Sequence, residues 1–332
     1  EVEADDHKHI IKIDSSNQFS QPAKMAISIS KIIYETTKII QKIKPLALVV
    51  QGDRFEALAA AIAAHENNIG LAHLEGGDVT LGGTHDDNIR HAITKLAHLH
   101  FPTNYISYKR VLALGEEKWR VKMFGFTGLD LIKNNDFTTK EEIIEKYKLN
   151  NEQPLLICTF HPLSSNLERT KAEINNFIIA IKAILKEFKL KCIITYPNND
   201  VGSNLIIEKI EKLNQAYKNV ILYKSLGRKD YWGILNLIRE NFKIVCVGNS
   251  SSGIKETTPF GCPTVNIGVR QKGRVAAKNI LQTQAISKKI IGNIIKCLSN
   301  KKFLDGCKSF SNPYGKGNAG KRIAKVLKEV QL

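Results

Sequence analysis

The 332-residue sequence predicts an α/β protein of two doubly wound domains, each with a parallel sheet. Three observations carry that expectation. Short continuous apolar runs, such as Leu46-Ala47-Leu48-Val49-Val50, are the mark of strands buried on both faces. They alternate with segments of helical period. The alternation occurs twice, on either side of a polar, charged linker at residues 132–154.

Residues 24–44 repeat Ile at helical intervals (Ile29, Ile32, Ile33, Ile39, Ile40, Ile43) and stop before Pro45, which predicts an amphipathic helix. The apolar run 46–50 follows as a strand. After the turn Gln51-Gly52-Asp53-Arg54, an Ala-rich helix runs through Ala64. A strand at 69–73 leads to a second Gly-bearing turn, Glu75-Gly76-Gly77. Residues 88–98 are expected to be helical, and 99–101 and 121–124 to be short strands. One helix is predicted within the linker, at 140–147. Beyond it, strands are expected at 155–159, 192–196, 220–223, 244–247 and 264–267. Helices are expected at 170–188, 205–216, 229–239 and 254–259, with later ones near 287–298 and 319–330.

Composition narrows the function classes. Hydrophobic content of 43% and charged content of 24% suit a soluble globular protein and exclude a disordered one. No apolar run approaches the roughly 18 residues of a membrane span, and no signal-peptide core follows Glu1. The six cysteines show no CxxC spacing and mostly sit in apolar runs, so they are expected as buried thiols in a reducing compartment. The net charge of +17 is unevenly placed. Residues 1–130 hold 15 Lys/Arg and 16 Asp/Glu, whereas residues 131–332 hold 34 and 16. An anionic ligand therefore suits the second half, although most of these lysines suit solvated helix faces. Aromatic content of 7% and the absence of any DNA- or RNA-binding motif argue against a nucleic-acid partner.

Ligands of open parallel sheets gather beyond the carboxyl ends of the strands. Asp53 and Arg54 follow the first apolar strand and Glu75 follows the second. The pair Asp86-Asp87 and then Asn88-Ile89-Arg90-His91 open the next helix. Carboxylates converging on one site repel each other, which raises some pKa values into the range of general acid–base catalysis. Taken singly, each also suits a structural role: Asp86 or Asp87 as a helix cap, Asp53 as a turn residue, His91 or His98 as satisfied helix residues. In the second half, Val247-Gly248-Asn249-Ser250-Ser251-Ser252-Gly253 ends a strand and opens a helix. Small residues there let N–H groups, hydroxyls and a helix dipole meet a phosphate, and the same segment also suits a capped turn without ligand. Glu256 lies one turn on, where a carboxylate suits a ribose diol. Arg270, Lys272 and Arg274 add cations after the next strand, and Phe160-His161-Pro162 places His161 at a strand end.

The segments Gln51-Gly52-Asp53-Arg54-Phe55-Glu56, His73-Leu74-Glu75-Gly76-Gly77 and Asp86-Asp87-Asn88-Ile89-Arg90-His91 resemble the hydrolysing UDP-N-acetylglucosamine 2-epimerases. So do Gly248-Asn249-Ser250-Ser251-Ser252-Gly253 and Arg270-Gln271-Lys272-Gly273-Arg274. The resemblance runs from about Lys24 to Asn312-Pro313-Tyr314-Gly315 and is of the sialic-acid or legionaminic-acid pathway type. The Glu-Gly-Gly and Ile-Arg-His forms are those of the hydrolysing branch. It implies a GT-B arrangement of two Rossmann-like domains facing a cleft, at 1–131 and 132–312, with a last helix at 313–332 crossing back to the first domain. The second domain would hold UDP, and the first would offer carboxylates to the sugar. The implied reaction removes the C2 proton, expels UDP to leave a glycal, and adds water to give a free 2-epimer such as N-acetylmannosamine. No cofactor and no metal are implied.

Carried over residue by residue, Asp53, Glu75, Asp86 and His161 match catalytic positions. Asn249, Ser250, Ser251, Glu256 and Arg270 match the nucleotide side, and Arg54 and Arg90 match positions that orient carboxylates or sugar. The resemblance further implies a cytoplasmic homodimer or homotetramer. One βαβ unit of the family pattern, roughly its first 60 residues with a Gly-x-Arg loop, has no counterpart before Glu1, so the first domain is expected to lack its opening. The spacer Thr80-Leu81-Gly82-Gly83-Thr84-His85 is longer than the pattern. The alternative reading is a GT-B glycosyltransferase with a UDP-sugar donor, which would depend on an acceptor.

Overall fold

The computed structural model describes residues 10–16, 23–80, 85–309 and 311–330. The chain divides into two compact units. The first comprises the chain up to Val79, His85–Asp130 and the stretch from Tyr314 on; the second comprises Leu131–Pro313 with Thr80. Most of the predicted spacer, Leu81 to Thr84, lies outside the described residues.

The first unit runs α1 (Ala23–Ile43), β1 (Ala47–Gln51), α2 (Phe55–Glu66), β2 (Gly70–Leu74), α3 (His85–Leu96), β3 (Leu99–Phe101) and α4 (Tyr105–Ala113). Its strands form a parallel sheet in the order β1-β2-β3, with Val50 beside His73 and His73 beside His100. In α1 the buried stripe is Ser28, Ile32, Thr36 and Ile40, spaced by four. Ile27 and Ile43 of the same helix stay exposed, so the Ile repeat marks the helix better than its buried face. Ile40 joins Val50, Leu71, Ile89, Ile93 and Ala61, Ala63 and Ala64 of α2 in one core. Alanine there lets the helix lie close to the sheet.

Two expectations need correction in this unit. The strand predicted at 121–124 is a single bridge between His100 and Val121. Beyond it the ring of Phe124 sits 5.9 Å from Phe101 and takes the Arg322 guanidinium on its face, so side-chain packing replaces the ladder. Helix α4 was not predicted. The Asn104 side chain caps it by accepting the Ser107 N–H, a signal hidden in a polar segment.

The second unit begins within α5 (Gly128–Lys133), at Leu131, and goes on to α6 (Lys140–Tyr147). It continues with β4 (Leu155–Thr159), α7 (Leu167–Glu187), β5 (Lys191–Thr195), α8 (Ser203–Ala216), β6 (Val220–Tyr223), α9 (Gly227–Asn236) and β7 (Ile244–Gly248). After α10 (Ser252–Lys255) come β8 (Thr264–Ile267), β9 (Ile280–Thr283), α11 (Ser287–Ser299) and α12 (Lys301–Gly306). Six parallel strands are ordered β6-β5-β4-β7-β8-β9, so the chain reverses direction across the sheet between β4 and β7. Leu156, Ile174, Phe177, Ile181, Ile194, Val245, Val265 and Ile294 lie in its main core.

The polar stretch predicted as a linker is docked on this unit. Asp230 of α9 accepts hydrogen bonds from Thr138 Oγ1, Lys146 Nζ and Tyr147 Oη, each at 2.6 Å. Burial pushes the Asp230 carboxyl up, but these donors outweigh it and hold it below the usual range. Helix α7 starts three residues before the predicted 170 because Asn166 caps it. The edge strand β9 was not predicted, its polar Gln282 and Thr283 breaking the apolar signature of the inner strands. All six cysteines are buried free thiols.

The chain then returns. Helix α13 (Ala319–Glu329) belongs to the first unit, where Ile323 packs with Ala72, Leu99 and Phe101. Asp130 caps it, accepting N–H bonds from Ala319 at 2.9 Å and Gly320 at 2.7 Å. The expected crossing back of the last helix is present.

Candidate active site

In the first unit, the carboxylates follow from three strand or helix ends. Asp53 lies in the turn between β1 and α2, half-buried, with Arg54 as the N-cap residue of α2. The Arg54 Nε is 3.5 Å from Glu56 in an exposed pair. Glu75 follows β2 with φ +67°, a left-handed conformation uncommon outside glycine. Its backbone N–H donates to the Phe101 carbonyl, and its Oε1 accepts from Gln51 Nε2 at 2.6 Å. Asp86 and Asp87 stand in the first turn of α3, where a helix favours negative charge.

Arg90 organises this cluster. Its side chain is almost wholly buried, with NH2 on the Asp53 carboxylate and NH1 donating to Asp87 Oδ1 at 2.6 Å and to the Asp78 carbonyl at 2.7 Å. A buried guanidinium with three acceptors is a fixed counter-charge rather than a flexible substrate clamp. His91 next to it is pushed below its ordinary pKa, first by burial and then by Arg90.

In the second unit, the strand order reverses at the carboxyl ends of β4 and β7, where ligands of such sheets bind. His161 and Asn249 sit there, joined by two bonds. Asn249 Oδ1 accepts the His161 N–H at 2.7 Å, and Asn249 Nδ2 donates to the His161 carbonyl at 2.9 Å. Asn249 is fully buried, so its side chain serves the strand ends themselves. His161 Nδ1 accepts the Asn198 backbone N–H at 3.2 Å, which leaves the proton of the neutral ring on Nε2. Gly248 is obligatory between them. Its φ is +150°, and a Cβ would stand 1.9 Å from the Thr159 carbonyl oxygen.

The turn after Gly248 is lined with hydroxyls. Ser252 Oγ donates to Ser250 Oγ at 2.9 Å, and Thr159, Gly248, Ser250 and Ser252 border a small cavity of about 20 Å³. The helix predicted at 254–259 is only one turn, Ser252–Lys255, followed by a 3₁₀ turn at Thr258–Phe260 that contains Pro259. A four-residue helix has little macrodipole, so anion binding here rests on hydroxyls and backbone N–H groups. Glu256 Oε2 accepts the buried Trp232 indole N–H at 2.7 Å. Arg270 NH1 donates to the Asn249 carbonyl at 3.2 Å, which ties the basic loop to the same turn.

Two residues of this unit escaped the sequence reading. Gln271 is buried, and its Nε2 donates to the Asn249 carbonyl at 3.0 Å. Its Oε1 meets no partner among the described residues, leaving an acceptor beside the serine turn. Gln271 lies between Arg270 and Lys272, and a polar residue flanked by cations carries no sequence signal of burial. Glu173 is buried against Gly268, with Oε1 accepting from Arg169 Nε at 2.9 Å. Nothing in the sequence separates that pair from an ordinary surface i,i+4 pair. Among the described residues, no group of three or more His, Cys, Asp and Glu is arranged to hold a metal ion.

A family model described as UDP-N-acetylglucosamine 2-epimerase matches residues 6–328. A Campylobacter jejuni protein named GDP/UDP-N,N'-diacetylbacillosamine 2-epimerase (hydrolyzing) is 37% identical over 247 residues. That match covers 74% of this chain and spans 62% of the relative's length. A Legionella pneumophila UDP-N,N'-diacetylbacillosamine 2-epimerase (hydrolyzing) is 31% identical, covering 97% of this chain and 81% of the relative. Among solved structures, UDP-GlcNAc 2-epimerase from Neisseria meningitidis bound to UDP-GlcNAc superposes with TM-score 0.80 at 19% identity, covering 95% of this chain and 84% of that one. The S. aureus MnaA-UDP co-structure superposes with TM-score 0.77 at 19% identity, covering 94% and 80%. The GT-B-like α/β fold is thereby shown.

Proposed function

Since the chain belongs to the UDP-N-acetylglucosamine 2-epimerase family, we propose that it serves a hydrolysing 2-epimerase acting on a UDP-acetamido sugar. The observation that carries this reading is the grouping of Asp53, Asp87 and Arg90, with Glu75 and Asp86 on neighbouring strand and helix ends. Proton transfer at carbon needs carboxylates held at fixed positions. Acceptor-dependent glycosyl transfer would leave them without a task.

In the proposed reaction a carboxylate of the first unit removes the C2 proton. The electron pair forms the C1–C2 double bond, the C1–O bond breaks, and UDP leaves with that bonding pair. Water then gives a proton to a third carboxylate as its hydroxyl adds to C1, and a second carboxyl returns a proton to C2 from the opposite face. The products are UDP and the free 2-epimer. Asp53, Glu75 and Asp86 share the three proton tasks. His161 is proposed to donate from Nε2 to a leaving phosphate oxygen, a reading supported by Nδ1 accepting the Asn198 backbone N–H.

The nucleotide side falls to the second unit. Ser250 and Ser251 are proposed for the diphosphate, Glu256 for the ribose, and Arg270 for the phosphate charge. Asn249 acts through the backbone it clamps. Arg90 orients Asp53, and Arg54 serves the sugar side. The names of the Campylobacter and Legionella relatives favour a UDP-diacetamido sugar such as UDP-N,N'-diacetylbacillosamine over UDP-N-acetylglucosamine, and N-acetylmannosamine would be the product of the latter. A homodimer or homotetramer is proposed in solution. Within the described residues, no helix is long and apolar enough to cross a membrane.

The test is incubation with each sugar nucleotide in deuterated water. Release of UDP together with one deuterium at C2 of the free sugar is expected. Absence of UDP release from every UDP-acetamido sugar would overturn the reading, and acceptor-dependent transfer without C2 exchange would replace it with glycosyl transfer.

A further inference from the structure

Beneath the carboxylates lies a buried histidine to which the proposed chemistry gives no role. His73 sits in β2, two residues before Glu75, and is fully buried. Its Nε2 is 2.9 Å from the Gly52 carbonyl oxygen. A carbonyl only accepts, so Nε2 carries the ring proton. The other nitrogen, Nδ1, is then an acceptor, and it lies 3.1 Å from Thr94 Oγ1. That hydroxyl is also 3.0 Å from the Arg90 carbonyl, one turn back along α3. The ring is packed against the chain after Glu75 as well: a Cβ on Gly76 would stand 3.0 Å from Nδ1. One imidazole therefore touches the three segments that bear Asp53, Glu75 and Arg90.

The Gly52 carbonyl belongs to the peptide group that leads into Asp53. Gly52 is left-handed at φ +79°, a conformation with wide freedom on both sides. Its own N–H is held by the Leu74 carbonyl at 3.0 Å, and its carbonyl by His73. Both peptide groups of the turn are thus tied to β2, one of them by a side chain.

We propose that His73 is a positioning residue, which holds the Gly52–Asp53 peptide and so aims the Asp53 carboxylate relative to Glu75 and Arg90. The catalytic consequence rests on the epimerase reading above; the structural one does not. Burial pushes the His73 ring down to about 4, so it is neutral at ordinary pH and is no proton carrier there.

Three substitutions in the full chain separate the contacts. His73→Gln keeps an N–H near the Nε2 position, His73→Asn reaches only toward Thr94, and His73→Leu removes both bonds. Amide hydrogen exchange over residues 51–54 should speed up about tenfold in His73→Asn and His73→Leu but remain near wild type in His73→Gln. With a UDP-acetamido sugar, kcat should fall about tenfold or more in the first two with KM within about twofold, and His73→Gln should recover most of it. Unchanged exchange at 51–54 in His73→Leu would overturn the proposal, as would equal losses spread over the whole first unit in all three variants. If the wild-type chain turns over no UDP-acetamido sugar, the functional reading falls, and the exchange data alone decide whether His73 holds the turn.

Discussion

The two units solve the same topological problem with different chemistry. Each gathers polar groups beyond the carboxyl ends of parallel strands. In the first, the groups are charged and locked in pairs: a buried guanidinium lies against Asp53 and Asp87, with the Asp78 carbonyl as its third acceptor. In the second, the centre is neutral, an asparagine amide bonded both ways to the His161 backbone beside a run of serines, with Arg270 reaching in from the next loop. Fixed charges suit proton transfer, where carboxylate pKa values must be set apart. A neutral lattice of N–H and O–H donors suits an anion, because it binds without holding an unpaired buried charge when empty.

The largest expected effect tests the neutral centre. Gly248→Ala places a Cβ against the Thr159 carbonyl and should destabilise the second unit by on the order of 4 kcal/mol. Thermal unfolding would show the loss, together with abolished UDP binding by calorimetry. Retention of both would mean that the β4–β7 junction tolerates rearrangement.

Arg90→Met tests the charged centre almost as severely. It leaves Asp53 and Asp87 facing each other without their guanidinium, and should cost about 3–5 kcal/mol in urea unfolding. Arg90→Lys should recover little, because one ammonium cannot serve two carboxylates and a carbonyl in fork geometry.

A sharper contrast comes from a pair of milder variants. Asp53→Asn should lower turnover by about 10²–10⁴-fold while UDP affinity stays within about twofold. Arg270→Gln should do the reverse, weakening UDP by about tenfold with little change in C2 exchange at saturation. If both variants moved both quantities, the division of labour between the units would fail.

The smallest effect concerns pH. His73 titrates near 4 in the folded chain, below the ordinary value of 6.5, because burial disfavours its charged form. The unfolded chain therefore binds more protons between those values. The stability it contributes is present above 6.5 and is lost as pH falls toward 4, at a slope on the order of 1 kcal/mol per pH unit. A melting series from pH 7 to 4 on wild type and His73→Gln should show the difference, with the variant flatter.

Legibility followed physical range. The inner strands could be read because a strand buried on both faces must be apolar throughout, as 155–158 and 244–247 are. The edge strand β9 could not, since one side of an edge makes no such demand. The docked α6 was read as a helix but its surroundings as a linker, because the Asp230 contacts that hold it come from more than 80 residues away. Asp53, Glu75 and Asp86 were legible from strand-end placement and motif, whereas Asn249 took on a different aspect once its amide proved to be spent on His161.

By itself the sequence determined the number of sheets, their inner strands and the places where polar residues follow those strands, because these are set by local period and by the chemistry of neighbours along the chain. Only the tertiary structure decided that Arg90 is a buried counter-charge, that His73 reaches the Gly52 carbonyl and that Glu173 lies against Gly268. Such contacts join residues far apart in the chain, and their energies depend on burial and exact distance, neither of which a linear pattern encodes.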